Sequence, residues 1–369
     1  MKYFRLAANF CFLLLVSTAT TFAQNSEIDS RKGGMESPPN SRRAQILQSY
    51  ELGKTAESID DFSKIISLCE QGLETETSKD LIKYGREVLA WAYWKRGAAH
   101  AAAAPDDEKV LADFNASVKY DSEAAPGRPN WKYLHDRGIT YAVLGQTDNA
   151  LADFNRVIAL RPSFGKAYFN RGEVWLAAGQ FAKAISDFNL AQRRGFKEAV
   201  TYARCGLAYH LSNDIQRAIA QYDLALTQNP RDYETFTYRG DAYAASGNYQ
   251  RAVRDYQQAL KINARFSPAL FSSAWLRSTC PLSELRDARI ALRNAQSAIE
   301  VDGENQPFHY KNLEALAAAL ALGGNFRQAV EMQQTALAIA PETDRDGIEK
   351  RLQLYNDGRA YISDLRKKS

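Results

Sequence analysis

The chain has 369 residues, of which 45% are hydrophobic and 24% are charged, and its formal net charge is +4. A charge this close to neutral argues against nucleic acid as the partner, because nucleic-acid binding relies on a strongly basic surface. Alanine-rich stretches with helical spacing are frequent, and the alternation typical of β-strands is almost absent. These features predict an all-α protein.

The first 23 residues have the order of a secretory signal peptide. Lys2 and Arg5 precede an apolar run from Leu6 to Val16, and small and polar residues follow as far as Ala23. The run is roughly half of the ~20 residues that a membrane-spanning helix needs. We therefore expect cleavage near Ala23, export to the periplasm or the medium, and no transmembrane span. An uncleaved anchor is the alternative.

Three segments precede the regular part of the chain. Residues 24–41 contain paired glycines and paired prolines among polar residues, which predicts a disordered linker. Apolar residues with helical spacing then indicate N-terminal helices over 42–89. Residues 90–128 hold a degenerate copy of the pattern that becomes regular further on, with Tyr93, Gly97 and Phe114 at its marker positions.

From residue 129 a pattern returns every 34 residues. Each period has a glycine, an alanine and an aromatic residue at fixed places: Gly138, Gly172, Gly206 and Gly240; Ala150, Ala184, Ala218 and Ala252; Phe154, Phe188, Tyr222 and Tyr256. A period of this length indicates stacked helix hairpins rather than one globular core. The glycine lets the second helix of a hairpin approach closely, and the aromatic residue fills the space between hairpins.

This pattern resembles the tetratricopeptide repeat (TPR) family. The resemblance implies a right-handed α-solenoid with four regular units over 129–266, two divergent units over 267–343, and a capping helix and tail over 344–369. The C-terminal third is also similar to exported, uncharacterised TPR proteins of planctomycete-type bacteria. That second resemblance rests on the runs Thr279-Cys280-Pro281 and Leu285-Arg286-Asp287 and on the ending around Gly358-Arg359, and it implies no activity.

An arginine and an aspartate recur together in the hairpins. The regular units that have both supply three pairs: Arg137 with Asp153, Arg171 with Asp187, and Arg239 with Asp255. The unit with Cys205 and Gln221 lacks both, and so does the divergent unit with Ser273 and Asn294. We interpret the pairs as partly buried structural ion pairs between helices. The alternative is that they only reflect the common ancestry of duplicated units.

The first helices of stacked hairpins line a groove in such folds, so their inner positions are candidates for partner binding. Aromatic residues with lysine, histidine and glutamate between them suit a bound peptide or partner helix. The candidate groove residues are Trp91, Trp94, Lys132, His135, Lys166, Phe169, Glu173, Phe271 and Trp275. Alternatively, the tryptophans and Phe271 pack against the terminal helices.

No catalytic, cofactor-binding or metal-binding residues are predicted. The four histidines fall in different units, and the sequence has no His-Glu-x-x-His run, Cys-x-x-Cys pair or glycine-flanked nucleophilic serine. The three cysteines after the signal peptide, Cys69, Cys205 and Cys280, are an odd number, which favours buried thiols over a disulfide framework. The sequence thus predicts an exported, non-catalytic scaffold that binds a protein or peptide. A self-associating structural solenoid and an accessory subunit of an envelope enzyme are the alternatives.

Overall fold

The computed structural model describes residues 42–363, except for residues 75, 77, 104–106 and 304–308. The predicted signal peptide and linker lie outside the described residues. Within this part the regular elements are helical: α1 (Arg42–Gly53), α2 (Ile59–Leu73), α3 (Lys79–Ala103), α4 (Asp107–Ala124), α5 (Trp131–Val143), α6 (Thr147–Leu160), α7 (Gly165–Ala177), α8 (Phe181–Arg193), α9 (Ala199–Leu211), α10 (Ile215–Gln228), α11 (Tyr233–Ala245), α12 (Tyr249–Ile262), α13 (Ser267–Thr279), α14 (Ala288–Asp302), α15 (His309–Leu322), α16 (Phe326–Ile339) and α17 (Glu342–Asn356). No described helix is long and apolar enough to cross a membrane.

The helices form two compact units. The first contains α1 to α7 together with residues 193–195, and the second contains residues 181–192 and 196 onwards, that is, α8 to α17. In the first unit α1 packs on α2, α3 on α4 and α5 on α6, and α4 contacts α5 just as α6 contacts α7. The second unit repeats this arrangement from α9 to α16, and α17 packs on α16. The all-α, TPR-like solenoid fold predicted from the sequence is confirmed.

The 34-residue markers occupy the positions that the hairpin requires. The four alanines are fully buried, and so are Phe154, Phe188 and Tyr222. The Tyr256 ring lies so close to Gly240 that a Cβ atom there would be 2.6 Å from Tyr256 Cε1. Only glycine permits this approach, because real Cβ atoms do not come within 3 Å of another carbon. The conformationally costly glycine is therefore kept for close packing between the two helices.

The tight turns within the hairpins use the left-handed backbone region. Gly145, Gly179 and Gly247 have φ values of 72°, 72° and 80°. The equivalent position in the α9–α10 hairpin is Asn213, with φ of 65°. Asparagine is among the few residues with a side chain that adopt this conformation readily. The turn geometry is therefore retained where the glycine is lost.

The helix before the regular repeats is longer than a hairpin helix. Helix α3 has 25 residues and runs through the boundary that the sequence places between residues 89 and 90. Its N-terminal half packs with α1 and α2 in a core containing Ile46, Phe62, Ile65 and Val88. One continuous helix therefore serves both the N-terminal helices and the degenerate repeat.

The C-terminal segment is fastened to the end of α13. The Ser363 backbone N–H and hydroxyl both donate to the Thr279 carbonyl oxygen, at 2.8 and 2.9 Å. Arg286 Nη1 donates to the Cys280 carbonyl oxygen at 2.9 Å, and the Asp287 carboxylate caps the N-terminus of α14. The runs Thr279-Cys280-Pro281 and Leu285-Arg286-Asp287 thus shape the α13–α14 connection. Thr279 also accepts the hydrogen bonds from Ser363.

Candidate functional site

A chain of hydrogen bonds crosses the first helices α3, α5 and α7 of the first unit. Trp94 Nε1 donates to Asp136 Oδ2 at 2.8 Å, Asp136 Oδ1 lies 2.8 Å from His135 Nδ1, and His135 Nε2 lies 3.0 Å from Asn170 Nδ2. A carboxylate only accepts hydrogen bonds, so the chemistry assigns the imidazole proton to Nδ1 and leaves Nε2 to accept from the Asn170 amide. Each polar group along this chain therefore has a complementary partner. We call the surface formed by Trp94, Lys95, Lys132, Asp136 and Asn170 the inner face.

Two candidate groove residues of α5 and α7 support the inner face from below. His135 is 5% exposed, and its ring meets the edges of Phe154 and Phe164 at centroid distances of 6.1 and 5.2 Å. Phe169 is also buried, at 6% exposure. These two side chains hold the surface in place rather than presenting themselves to solvent.

Trp91 likewise lies in the core. It is 9% exposed and meets Phe62 of α2 edge-on at 5.8 Å. This position agrees with the alternative interpretation of Trp91, in which it packs against the N-terminal helices. The physical reason is the length of α3, which carries Trp91 into contact with α1 and α2.

Cationic side chains lie on the inner face. Lys95 is partly exposed, and its ammonium group lies 5.4 Å from the Trp94 ring centroid. Burial lowers the pKa of Lys95, and the nearby charge of Lys132 lowers it further. Lys132, Lys166 and Glu173 are partly exposed as well. The two lysines Lys95 and Lys132 are therefore close enough to repel each other.

In the second unit, the candidate groove aromatics lie on α13 beneath the C-terminal segment. The Phe271 and Trp275 rings stack at 6.4 Å with an interplanar angle of 22°. Tyr361 lies 6.1 Å from Trp275, and the Arg351 guanidinium lies 5.4 Å from the same ring. The C-terminal segment thus covers part of Trp275. This agrees with the alternative interpretation, in which Trp275 packs against the C-terminal part of the chain.

A carboxylate on the neighbouring first helix is unusual in its surroundings. Asp241 of α11 is partly exposed and accepts a hydrogen bond from the Tyr256 hydroxyl at 2.7 Å. Burial raises the pKa of Asp241 to about 6, although hydrogen bonds from Tyr256 and Ser272 act in the opposite direction. No cation pairs with it among the described residues. The sequence around Asp241 gives no sign that the proton affinity of this carboxylate is perturbed.

The structure joins Arg137 to Asp153 and Arg239 to Asp255. Arg137 donates from Nε and Nη2 to the two oxygens of Asp153, both at 2.8 Å. Arg239 binds Asp255 in the same bidentate way, again at 2.8 Å twice. Arg171 belongs to the first compact unit and Asp187 to the second. Arg171 Nη1 donates to Asn155 at 2.6 Å, and Asp187 is buried at 3% exposure.

Sequence reasoning missed a third member of these pairs. Each arginine also reaches the second helix of the preceding hairpin: Arg137 donates to Asn115 at 3.3 Å and Arg239 donates to Asp223 at 2.7 Å. Together with Asn155, these partners form one structural position. The signal was present, because Asn155 and Asp223 are separated by two periods of 34 residues. The arginines therefore link successive hairpins as well as the two helices of one hairpin.

Comparisons with known families agree with this geometry. The tetratricopeptide repeat profiles match residues 135–197 and residues 233–266. These two segments are similar to tetratricopeptide repeats. No curated protein sequence matches the chain significantly. The matched TPR segments include the Arg137–Asp153 and Arg239–Asp255 pairs, so these pairs belong to the repeats themselves.

Several solved structures match the chain at low sequence identity. The Cut9–Hcn1 hetero-tetramer of the APC/C is 17% identical in sequence, with a TM-score of 0.54. The match covers 79% of this chain and 52% of that chain. MamA from Desulfovibrio magneticus RS-1 matches with 19% identity, 48% of this chain, 96% of that chain and a TM-score of 0.43. YrrB, described as a TPR protein with an unusual peptide-binding site, matches with 19% identity, 55% and 96% coverage and a TM-score of 0.43. At these identities the likeness concerns the fold alone.

Proposed function

We propose that this TPR protein is a non-catalytic scaffold that binds a peptide or partner helix on the inner face of its first unit. The observation that supports this most directly is the hydrogen-bond chain from Trp94 through Asp136 and His135 to Asn170. It joins side chains from the first helices of three successive hairpins into one fixed surface. A preorganised surface loses little conformational freedom on binding, which favours affinity.

The charges on this surface suggest the character of the bound segment. Lys95 and Lys132 repel each other, and Lys95 forms no ion pair within the described part of the chain. An acidic side chain placed between them would relieve that repulsion, and the Trp94 indole beside Lys95 offers an apolar contact. We therefore propose a partner segment with an acidic residue next to an apolar one.

A selection from a random peptide library would test this proposal. The full chain after the predicted signal peptide would be immobilised beside a variant with Lys95→Glu and Lys132→Glu. The matched control carries Lys261→Glu and Lys350→Glu, which make the same change in charge at two exposed positions. We expect acidic peptides to be enriched on the wild type and the control and to be lost on the inner-face variant. Equal enrichment on all three proteins would rule out the inner face.

Self-association receives no specific support from the described surface. Its exposed large hydrophobic residues lie on separate elements: Leu211 on α9, Leu224 on α10, Ile339 on α16 and Ile362 near the end of the described chain. A self-associating face needs a contiguous apolar patch. A concentration-dependent mass in analytical ultracentrifugation, unchanged by the Lys95→Glu and Lys132→Glu substitutions, would favour the structural role over peptide binding.

Export is part of the same proposal and rests on the N-terminal sequence. The charged, apolar and small segments of residues 1–23 follow the order of a signal peptide. N-terminal sequencing of the protein from its native cells should begin at Gln24. A chain that retains residues 1–23 would contradict cleavage.

A further inference from the structure

The divergent α13–α14 hairpin has lost the arginine and both of its partners together. In the hairpin before it, Arg239 lies between Asp255 and Asp223. Moving 34 residues on from Arg239 and Asp223 gives Ser273 and Gln257. The position of Asp255 on the second helix is taken by Asn294, whose Nδ2 donates to Ser273 Oγ at 3.0 Å. Three charged groups have thus been replaced by three neutral hydrogen-bonding groups.

A cavity of about 340 Å³ occupies the place of the missing arginine. It is open to solvent and lies between α12, α13 and α14, within the second unit. Its lining includes all three replaced positions, Gln257, Ser273 and Asn294. Its apolar wall comes from Leu260, Leu270 and Ile290. This size lies at the lower end of the range for small-ligand sites.

The charge of the cavity is the reverse of the site it replaces. None of its lining residues is acidic, whereas Arg277 and Arg293 both line it. Arg277 Nη1 donates to the Leu285 carbonyl oxygen at 3.3 Å, which fixes the guanidinium group while leaving its other N–H groups available. Arg293 is exposed and forms no ion pair within the described residues. An arginine side chain would find no acidic partner here, but an anion would find two cations.

The buried floor of the cavity adds a hydrogen-bond donor. Ser273 is 6% exposed, and its oxygen already accepts the bond from Asn294. The hydroxyl proton has no acceptor among the described residues, so it is free to donate to a group in the cavity. A buried donor without an acceptor costs free energy, which a bound acceptor would recover.

We propose that this cavity binds a carboxylate attached to a short aliphatic group. The carboxylate contacts Arg277, Arg293 and the Ser273 hydroxyl, because guanidinium groups bind carboxylates through charge-assisted hydrogen bonds. The aliphatic part lies against Leu260, Leu270 and Ile290. The site is separate from the inner face, since it belongs to the second unit and to different helices. The carboxylate can come from a free aliphatic acid or from the C-terminus of a peptide.

Hexanoate is a suitable probe, and hexanamide is its uncharged counterpart. Binding to the full chain after residue 23 would be followed by saturation-transfer difference NMR, with titration to obtain the Kd. We expect saturable binding of hexanoate and much weaker binding of hexanamide. Arg293→Gln should weaken hexanoate binding about tenfold, the effect of one lost charge-assisted interaction. Arg327→Gln is the control, because this arginine side chain is 92% exposed and does not line the cavity.

A second variant tests the cavity by filling it. Ser273→Arg combined with Asn294→Asp restores the pair of the other hairpins, and it should abolish hexanoate binding while circular dichroism stays unchanged. Acetyl-glycyl-leucine, with its amide as the uncharged control, then separates a peptide C-terminus from a free aliphatic acid. Tighter binding of acetyl-glycyl-leucine than of hexanoate indicates a peptide C-terminus. Tighter binding of hexanoate indicates a free acid. Inorganic phosphate should compete poorly. Equal binding of hexanoate to the wild type and the filled variant, or no saturable binding at all, would overturn the proposal.

Discussion

Removing Arg239 should weaken the second unit through the aspartate that it leaves behind. Asp255 is 7% exposed and receives two bonds from Arg239, so Arg239→Ala strands a buried carboxylate. The arginine side chain is itself only 19% exposed, and its guanidinium lies 5.5 Å from the Phe236 ring and 5.7 Å from the Tyr243 ring. Arg239→Ala therefore removes packing together with charge.

The expected magnitudes follow from this burial. Breaking a fully buried pair costs about 3–5 kcal/mol, and an exposed pair contributes under ~1 kcal/mol. Arg239 is partly exposed, so we expect Arg239→Ala to cost about 3 kcal/mol. Asp255→Ala should cost about 2 kcal/mol, because Arg239 keeps Asp223 as a partner. The double variant should also cost about 3 kcal/mol, which leaves a coupling free energy of about 2 kcal/mol.

Hydrogen exchange measured by mass spectrometry on the amides of α11 and α12 is the appropriate assay. It reports the free energy of local opening, whereas a repeat array does not unfold as a single all-or-none unit. The control pair Arg327–Glu331 has side chains that are 92% and 53% exposed, and removing either residue should change the opening free energy by less than ~0.5 kcal/mol. Additive effects of Arg239→Ala and Asp255→Ala would refute the reasoning, since they would show that Arg239 acts through packing alone.

Three further predictions concern single positions. Burial raises the folded-state pKa of Asp241 to about 6, so the folded protein should lose stability as the pH rises from about 4 to 6. Asp241→Asn should raise the free energy of unfolding at pH 7, measured by urea denaturation, by about 2 kcal/mol and should flatten that pH dependence. An unchanged pH profile would contradict this. Gly240→Ala should lower the free energy of unfolding, measured by urea denaturation, by about 1–3 kcal/mol, because the added Cβ meets the Tyr256 ring. The control Gly347→Ala, in the interior of α17, should leave that free energy unchanged or raise it by up to ~1 kcal/mol. Equal effects of the two substitutions would disprove the packing role of Gly240. The buried thiols of Cys69, Cys205 and Cys280 should react with a maleimide only when the protein unfolds, as followed by mass spectrometry. Burial shields all three and raises the pKa of Cys69 and of Cys205 to about 12. Rapid labelling of the native protein would contradict this.

The repeat period predicts the hairpins because packing constraints recur with it. Gly240 and Tyr256 must face each other for two helices to approach, and the 34-residue spacing carries that contact from one hairpin to the next. The arginine–aspartate pairs were predictable for the same reason. Their third partner was harder to find, since Asn155, Asp223 and Gln257 differ in residue type at one structural position. Conserved geometry is visible in a sequence only where one residue type satisfies it.

The groove was less predictable than the hairpins, because an aromatic residue on a first helix suits both a bound partner and a neighbouring helix. Trp91 is buried because α3 extends back into the N-terminal core, and Trp275 is partly covered by Tyr361, which lies more than 80 residues later in the chain. Neither contact has a short-range sequence signal. Lys95 was not predicted as a groove residue for a different reason, since it lies beside the positions expected to face the groove. Its place on the inner face shows only in the structure, where the charge of Lys132 lowers its pKa.

Two of the hairpins without the arginine, α9–α10 and α13–α14, differ in what replaces it. In the α9–α10 hairpin, Cys205 is fully buried, its sulfur lies 3.9 Å from Asn189 Oδ1, and Gln221 accepts a bond from Gln192 at 3.2 Å. Small and amide side chains take the place of the charged pair there. The α13–α14 hairpin also removes all the charges together, as it must to avoid a stranded carboxylate, yet it leaves a cavity with Arg277 and Arg293 lining it. Arg277 and Arg293, on a site emptied of acid, are what distinguish a binding pocket from a repeat that has merely diverged.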